Sequence, residues 1–227
     1  MKKSPRMLCH RTTAFIFDMD GTLVDNMVWH TQAWVELLAD HGRHIDLSEF
    51  QSRSGGRKSA EVVRELFGPA LSEREVKELV DQKELLYRVL YRPRLRLIKG
   101  LRRFLQRAAR LWIPMALATA GNPRNIDFIL DGLGLRSFFN AIAHGGEVKC
   151  GKPAPDLFLL AAQRLGVEAD RCVVFEDAPG GIAAAGHGGM RAVGITTMVE
   201  ASVFSSLPQV IEIAADFSDM SPDQFLV

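Results

Sequence analysis

The stretch FIFDMDGTLVDN, residues 15–26, decides the fold. The apolar run at residues 15–17 is typical of a buried β-strand, yet it ends in two aspartates, Asp18 and Asp20, with one residue between them. Two carboxylates at the point where a strand leaves the core are solvated loop residues, a cap for the next helix or the centre of an active site. The rest of the sequence decides among these interpretations.

The composition limits the classes of partner. The chain has 227 residues, 47% of them hydrophobic, and its 28 basic side chains nearly balance 27 acidic ones. We therefore expect no nucleic-acid partner, and no segment approaches the ~20 apolar residues of a membrane span or forms a signal peptide. The spacing of the three cysteines supports neither a disulfide framework nor a zinc site. These features predict a cytoplasmic protein, and we expect a monomer or weak dimer.

Short apolar runs alternate with helical patterns along most of the chain. This alternation predicts an α/β fold with a Rossmann-like three-layer core, in which helices cover both faces of a parallel sheet. The runs lie at residues 15–17, 114–118, 141–143, 172–175 and 191–195, with a further edge strand at 210–213.

The interval between Gly21 and Gly100 contains helical patterns and no convincing strand. Its longest helical pattern begins at Ser72 with Glu75 three residues later, a capping box. We predict an all-helical cap domain inserted after the first strand. The expected boundaries are residues 1–24 and 98–227 for the core and 25–97 for the cap.

Polar groups follow four of the predicted strands, and in an open parallel sheet ligands bind beyond the carboxyl ends of the strands. Carboxylates that meet there repel one another unless a cation neutralises them, and Mg²⁺ prefers oxygen ligands. A lysine beside them would stabilise charge on a transferring phosphoryl group. The groups are Asp18 and Asp20, then Thr119, Ala120, Gly121 and Asn122, then Lys152, and finally Glu176 and Asp177.

The spacing of Asp18 and Asp20 predicts two roles. Alternate residues of an extended segment point the same way, so Asp18 can be a nucleophile while Asp20 acts as general acid and base. Each feature alone has a simpler explanation: DMDG as a turn, Thr119 as a helix cap, Lys152 as a solvated side chain. Their joint occurrence in this order along an α/β pattern favours an active site.

The motifs DMDGT, ATAGN, GKPAPD and EDAPGG resemble the signature motifs of the haloacid dehalogenase superfamily of phosphotransferases over nearly the whole chain. The closest subgroup includes β-phosphoglucomutase. The resemblance implies a phosphorylated Asp18, an acid and base at Asp20 and a lysine, Lys152, that stabilises the pentavalent phosphoryl group. It further implies phosphate binding by residues 119–122 and Mg²⁺ bound by Asp18, the Asp20 carbonyl and Asp177, with Glu176 orienting metal-bound water or joining the ligands.

The cap segments DNMVWHTQAW and SGGRKS also resemble that subgroup. This implies substrate contacts by His30, Arg57 and Lys83, with Arg57 at a distal phosphate. The alternatives are that His30 is a polar residue with purely structural hydrogen bonds, that Lys83 lies on a solvated helix face and that Trp34 only packs. Departures from the mutase pattern, such as Asn26 in place of threonine, weaken a specific mutase assignment and leave phosphoryl transfer intact.

Three functional hypotheses follow. The leading one is a Mg²⁺-dependent phosphatase that acts on a small phosphorylated metabolite, such as a sugar phosphate, through an aspartyl-phosphate at Asp18. The alternative is a β-phosphoglucomutase-type enzyme, in which another sugar hydroxyl replaces water as acceptor. The third is a non-catalytic phospho-aspartate switch, which the helical insertion disfavours because such a switch needs no cap.

Overall fold

The computed structural model of the protein describes residues 13–45, 50 and 59–226. The strands of this part are β1 (Ala14–Phe17), β2 (Met115–Thr119), β3 (Ala141–His144), β4 (Cys172–Glu176), β5 (Arg191–Ile195) and β6 (Val210–Ala214). The helices are α1 (Met27–Asp40), α2 (Ser59–Phe67), α3 (Glu73–Tyr91), α4 (Leu101–Arg110), α5 (Pro123–Gly132), α6 (Asp156–Leu165), α7 (Pro179–His187) and α8 (Ala201–Phe204).

The six strands form one parallel sheet in the order β3-β2-β1-β4-β5-β6. Each predicted strand agrees with the observed one to within a residue at either end. Strand β1 lies in the middle, where Phe15 is paired with Met115 on one side and Val173 on the other. Because all strands run in the same direction, their carboxyl ends meet along one edge of the sheet.

Alternate residues of β1 face two separate hydrophobic cores, as expected for a strand buried on both sides. Phe15 and Phe17 belong to the core that α4 and α5 cover, whereas Ala14 and Ile16 belong to the core beneath α6 and α7. In the first core the ring of Phe17 stacks on that of Phe175 at 4.6 Å between centroids. The predicted three-layer α/β fold is confirmed.

Helices α1, α2 and α3 form a helical insertion between β1 and α4. The insertion has its own apolar core, to which Trp34, Leu37 and Val63 belong. The backbone NH of Ile98 donates to the Leu23 carbonyl at 3.0 Å, so the two segments that connect the insertion to the sheet are bonded to each other. The predicted helical insertion is confirmed, and its boundaries at residues 25 and 97 stay a prediction.

Within the described part of the chain, no helix combines the length and apolar character needed to cross a membrane.

The predicted capping box starts α3. The backbone NH of Glu75 donates to Ser72 Oγ at 3.3 Å, and the Glu75 carboxylate accepts from the Ser72 backbone NH at 2.8 Å. We expect Ser72→Ala to lower the free energy of unfolding by about 1 kcal/mol, because a backbone NH at the helix start loses its acceptor. Urea unfolding measures this change. The control is Ser202→Ala, at an exposed serine of α8, and an equal loss in both variants would contradict the capping role.

Candidate active site

The two aspartates that follow β1 line one cleft, which has a volume of about 360 Å³ and lies between the sheet edge and the helical insertion. The backbone NH of Asp18 still donates to the Phe175 carbonyl of β4 at 3.0 Å, so Asp18 is fixed by the sheet. The chain then turns at Gly21, where φ is +84°. The side chain of Asp18 is 8% exposed and that of Asp20 is 19% exposed.

Lys152 is buried beside these carboxylates rather than solvated. Its Nζ donates to Asp18 Oδ1 at 2.5 Å and to Glu176 Oε1 at 2.8 Å. Burial disfavours its ammonium form, but the two carboxylates outweigh that effect and raise the pKa of Lys152. Lys152 is therefore a fixed cation on the floor of the cleft.

Asp18, Glu176 and Asp177 form an acidic cluster, with one carboxylate oxygen of each within 4.8 Å of the others. Burial raises the pKa of Asp18 to about 8 against the opposing effect of Lys152, and burial with the neighbouring carboxylates raises the pKa of Asp177. Asp177 Oδ2 is buried without a hydrogen-bond partner. Three carboxylates thus face one ammonium, a donor set that fits a hard divalent cation such as Mg²⁺.

Glu176 uses both of its carboxylate oxygens in protein contacts. Oε1 accepts from Lys152, and Oε2 accepts from the backbone NH groups of Asp177 and Ala178 at 2.5 and 2.8 Å. These bonds hold Glu176 against the turn that leads into α7. Its carboxylate therefore orients Lys152 directly.

The segment after β2 reaches the same cleft, since Thr119, Ala120, Gly121 and Asn122 all line it. Thr119 Oγ1 accepts from the backbone NH of Gly121 at 2.9 Å. The helix cap is Asn122, whose Oδ1 accepts from the backbone NH of Asn125 at 3.0 Å and so starts α5. The loop thus lies at a helix N-terminus, where backbone NH groups favour an anion.

Asp20 is bonded to the start of the helical insertion. Asn26 Nδ2 donates to Asp20 Oδ1 at 2.6 Å and lies 2.6 Å from the hydroxyl of Tyr87, and His30 Nε2 is 3.5 Å from the same Asp20 oxygen. Burial favours protonation of Asp20, but the nearby His30 ring and the hydrogen bond from Asn26 outweigh that effect and lower the pKa of Asp20. Sequence reasoning missed Tyr87, whose ring stacks on His30 at 3.7 Å. Tyr87 lies one helical turn after Lys83, and this spacing indicates that both side chains lie on the same face of the helix.

Lys83 is 2% exposed and so does not lie on a solvated helix face. Its Nζ is 2.7 Å from His30 Nδ1 and 3.1 Å from Glu84 Oε1, and it lies 5.1 Å from the ring centroid of Trp34. Trp34 belongs to the apolar core of the insertion and also lines the cleft, so its packing role is observed. The structure therefore brings His30 and Lys83 together beside Asp20. Arg57 lies outside the described residues.

Glu84 is a buried site residue that sequence reasoning missed. Its carboxylate accepts from Ser59 Oγ at 2.7 Å and from Asn125 Nδ2 at 2.7 Å, in addition to Lys83. Burial raises the proton affinity of Glu84, but Lys83, His30 and these hydrogen bonds lower its pKa to about 2. Glu84 is thus a fixed anion on the roof of the cleft.

Several known proteins are similar to this chain in sequence or in structure. The chain is 38% identical over 194 residues to the fructose-1-phosphate phosphatase YqaB of Escherichia coli, a match that covers 82% of this chain and 97% of that protein. It is 34% identical over 192 residues to (DL)-glycerol-3-phosphatase 2 of Arabidopsis thaliana, covering 80% and 78%. The crystal structure of β-phosphoglucomutase from Clostridium difficile has a TM-score of 0.80 and 27% identity, covering 94% of this chain and 95% of that one.

The sequence model of one protein family, the haloacid dehalogenase-like hydrolases, matches residues 12–189 of the chain. This match includes Asp18, Thr119, Lys152 and Asp177. The predicted enzyme class, a haloacid dehalogenase-like hydrolase of phosphoric monoesters, is confirmed by this match together with the phosphatase relatives. The chain belongs to the haloacid dehalogenase-like hydrolase family.

Proposed function

We propose that the protein is a Mg²⁺-dependent phosphatase that hydrolyses a small sugar phosphate through an aspartyl-phosphate on Asp18. The observation that carries this proposal is the contact of 2.5 Å between Lys152 Nζ and Asp18 Oδ1 on the floor of the cleft, beside Glu176 and Asp177. A relative named as a fructose-1-phosphate phosphatase supports the substrate class.

The residues of the chain divide the chemistry. Asp18 attacks phosphorus with a carboxylate oxygen, while Lys152 neutralises charge that develops on the transferring group. Asp20 gives a proton to the departing sugar oxygen and then accepts one from the water that attacks the aspartyl-phosphate. Phosphate leaves, and the Asp18 carboxylate is restored. The loop at Thr119 binds the phosphate oxygens through backbone NH groups at the start of α5.

Asp18, Asp177 and the main-chain oxygen of Asp20 would hold Mg²⁺, which supplies positive charge to the phosphate and offsets the buried carboxylates. The unpartnered Asp177 Oδ2 supports this assignment. Glu176 is assigned to positioning Lys152, because both of its oxygens already have partners.

A sugar phosphomutase is the second candidate, and the likeness to the β-phosphoglucomutase structure favours it. The chemistry at Asp18 is the same in both reactions, and the acceptor of the phosphoryl group differs. We expect net release of phosphate from fructose 1-phosphate and no conversion of β-glucose 1-phosphate to glucose 6-phosphate. A coupled assay for glucose 6-phosphate, run beside phosphate detection, measures both. Isomerisation that exceeds phosphate release would make the mutase the correct assignment.

We expect Asp18→Asn to lower phosphate release from fructose 1-phosphate and p-nitrophenyl phosphate by about 1,000-fold or more, because the amide is not a nucleophile. The matched control is Asp25→Asn, which changes an exposed aspartate of the same segment and should keep wild-type turnover. An Asp18→Asn variant that retains full activity with Mg²⁺ would remove the nucleophile from its assigned position.

Gly21→Ala tests the Mg²⁺ site. A Cβ at Gly21 would lie 1.8 Å from Asp177 Oδ2, so the Asp177 carboxylate would have to move. We expect the Mg²⁺ concentration for half-maximal binding in calorimetry to rise about tenfold or more.

The control for Gly21→Ala is Gly134→Ala. Gly134 also has a positive φ, +61°, but a Cβ there has nothing within 4 Å, so this variant carries the backbone strain without the clash. Equal Mg²⁺ binding by the two variants would argue against Asp177 as a ligand.

A further inference from the structure

Asn125 joins the helical insertion to the core through both ends of its amide. Its Nδ2 donates to Glu84 Oε2 at 2.7 Å, and its Oδ1 accepts from Arg88 Nη1 at 2.7 Å. Glu84 and Arg88 are four residues apart on α3, so they present their side chains on the same side of that helix. Asn125 lies in the first turn of α5 and is 1% exposed. We call these three residues the α3–α5 clasp.

The α3–α5 clasp is connected to the reacting end of the cleft by consecutive contacts. Glu84 accepts from Lys83, whose Nζ is 2.7 Å from His30 Nδ1. The other ring nitrogen of His30 is 3.5 Å from Asp20 Oδ1. A displacement of Glu84 therefore changes the surroundings of Asp20.

Apolar contacts between the same two helices do not fix their position as closely. The rings of Tyr87 and Tyr91 lie 6.2 and 6.4 Å from that of Phe128, measured between centroids. Such contacts are largely non-directional, and α3 can shift along α5 while it keeps much of them. The two hydrogen bonds of Asn125 have defined directions and permit one register only.

We propose that Asn125 is a positioning residue whose clasp with Glu84 and Arg88 closes the helical insertion over the cleft and sets Lys83 and His30 against Asp20. An amide suits this place because it donates to a carboxylate with one end and accepts from a guanidinium with the other. The role in turnover rests on the proposed phosphatase function. Closure itself is a property of the chain and can be measured without any substrate.

Two variants separate the clasp from general damage to the fold. Asn125→Asp keeps an acceptor for Arg88 but removes the donor to Glu84 and places a carboxylate against that of Glu84, so the Glu84 side of the clasp should open. Adding Glu84→Gln reverses the direction of the hydrogen bond between positions 84 and 125. The amide nitrogen at position 84 then donates to the carboxylate at position 125, and the amide oxygen at position 84 still accepts from Ser59 and Lys83. The control Asn140→Asp makes the same substitution at an exposed asparagine, whose acceptor role toward the Met115 backbone NH an aspartate keeps.

The first measurement is acrylamide quenching of Trp34 fluorescence. The chain has three tryptophans, so the background Trp29→Phe with Trp112→Phe leaves Trp34 as the single reporter. Trp34 lines the cleft and is 4% exposed. We expect Asn125→Asp to raise its quenching constant about threefold or more as the closed population falls, and the double variant to restore the background value. Asn140→Asp should leave it unchanged.

The second measurement is kcat/KM for fructose 1-phosphate with Mg²⁺ in the full chain. We expect a fall of about 30-fold or more for Asn125→Asp and recovery to within about threefold for the double variant. Quenching of Asn125→Asp equal to its background, or a double variant as impaired as the single one, would overturn the proposal. If the wild-type protein released no phosphate from any phosphomonoester, the proposed function would fail while the quenching series still decided the clasp.

Discussion

The buried ammonium of Lys152 is the interaction on which the site depends. The sheet pairs Phe17 of β1 with Phe175 of β4, so the residues that follow, Asp18 and Glu176, are forced side by side. Buried carboxylates so close together cost free energy unless cations compensate them. Lys152 contacts both, at 2.5 and 2.8 Å. Because Asp177 adds a further carboxylate, one ammonium does not balance the negative charge of the cluster. The strand register that brings these carboxylates together is therefore also the reason that the site favours a bound cation.

Much of this arrangement could be predicted from the sequence because it depends on local patterns. A strand buried on both faces is a continuous apolar run, and such runs identified β1 to β6 to within a residue. Parallel strands place their carboxyl ends at one edge, so the order of Asp18, Thr119, Lys152 and Asp177 along the chain indicated a shared cleft. The capping box at Ser72 is equally local, and it marks the start of α3.

The roof of the cleft could not be predicted in the same way, because its contacts depend on how helices pack. Glu84 and Asn125 are 41 positions apart, and neither has a neighbouring motif that indicates a partner. In the sequence α3 is rich in charge, which made a solvated Lys83 a reasonable alternative. In the structure α3 contacts α1, α2 and α5, so two of its charged side chains, Lys83 and Glu84, are buried and must pair. Asn26 is similar: its place before α1 indicates a helix cap, yet its amide contacts Asp20 and Tyr87 instead.

The two walls of the cleft therefore differ in their electrostatics. Among the described residues that line the cleft, two are lysines, Lys83 and Lys152, and none is an arginine. Both lysines have carboxylate partners. On the roof, Lys83 and Glu84 balance each other, so that wall can offer a substrate hydrogen bonds with little net field. On the floor, the start of α5 and the acidic cluster, once the proposed Mg²⁺ is bound to it, would attract a phosphate. The proposed substrate class, a small sugar phosphate, would match this division: the phosphate would lie on the floor beside Asp18, and the hydroxylated, uncharged body would lie toward His30 and Trp34. The charge balance of the two walls would thus set the orientation of such a substrate.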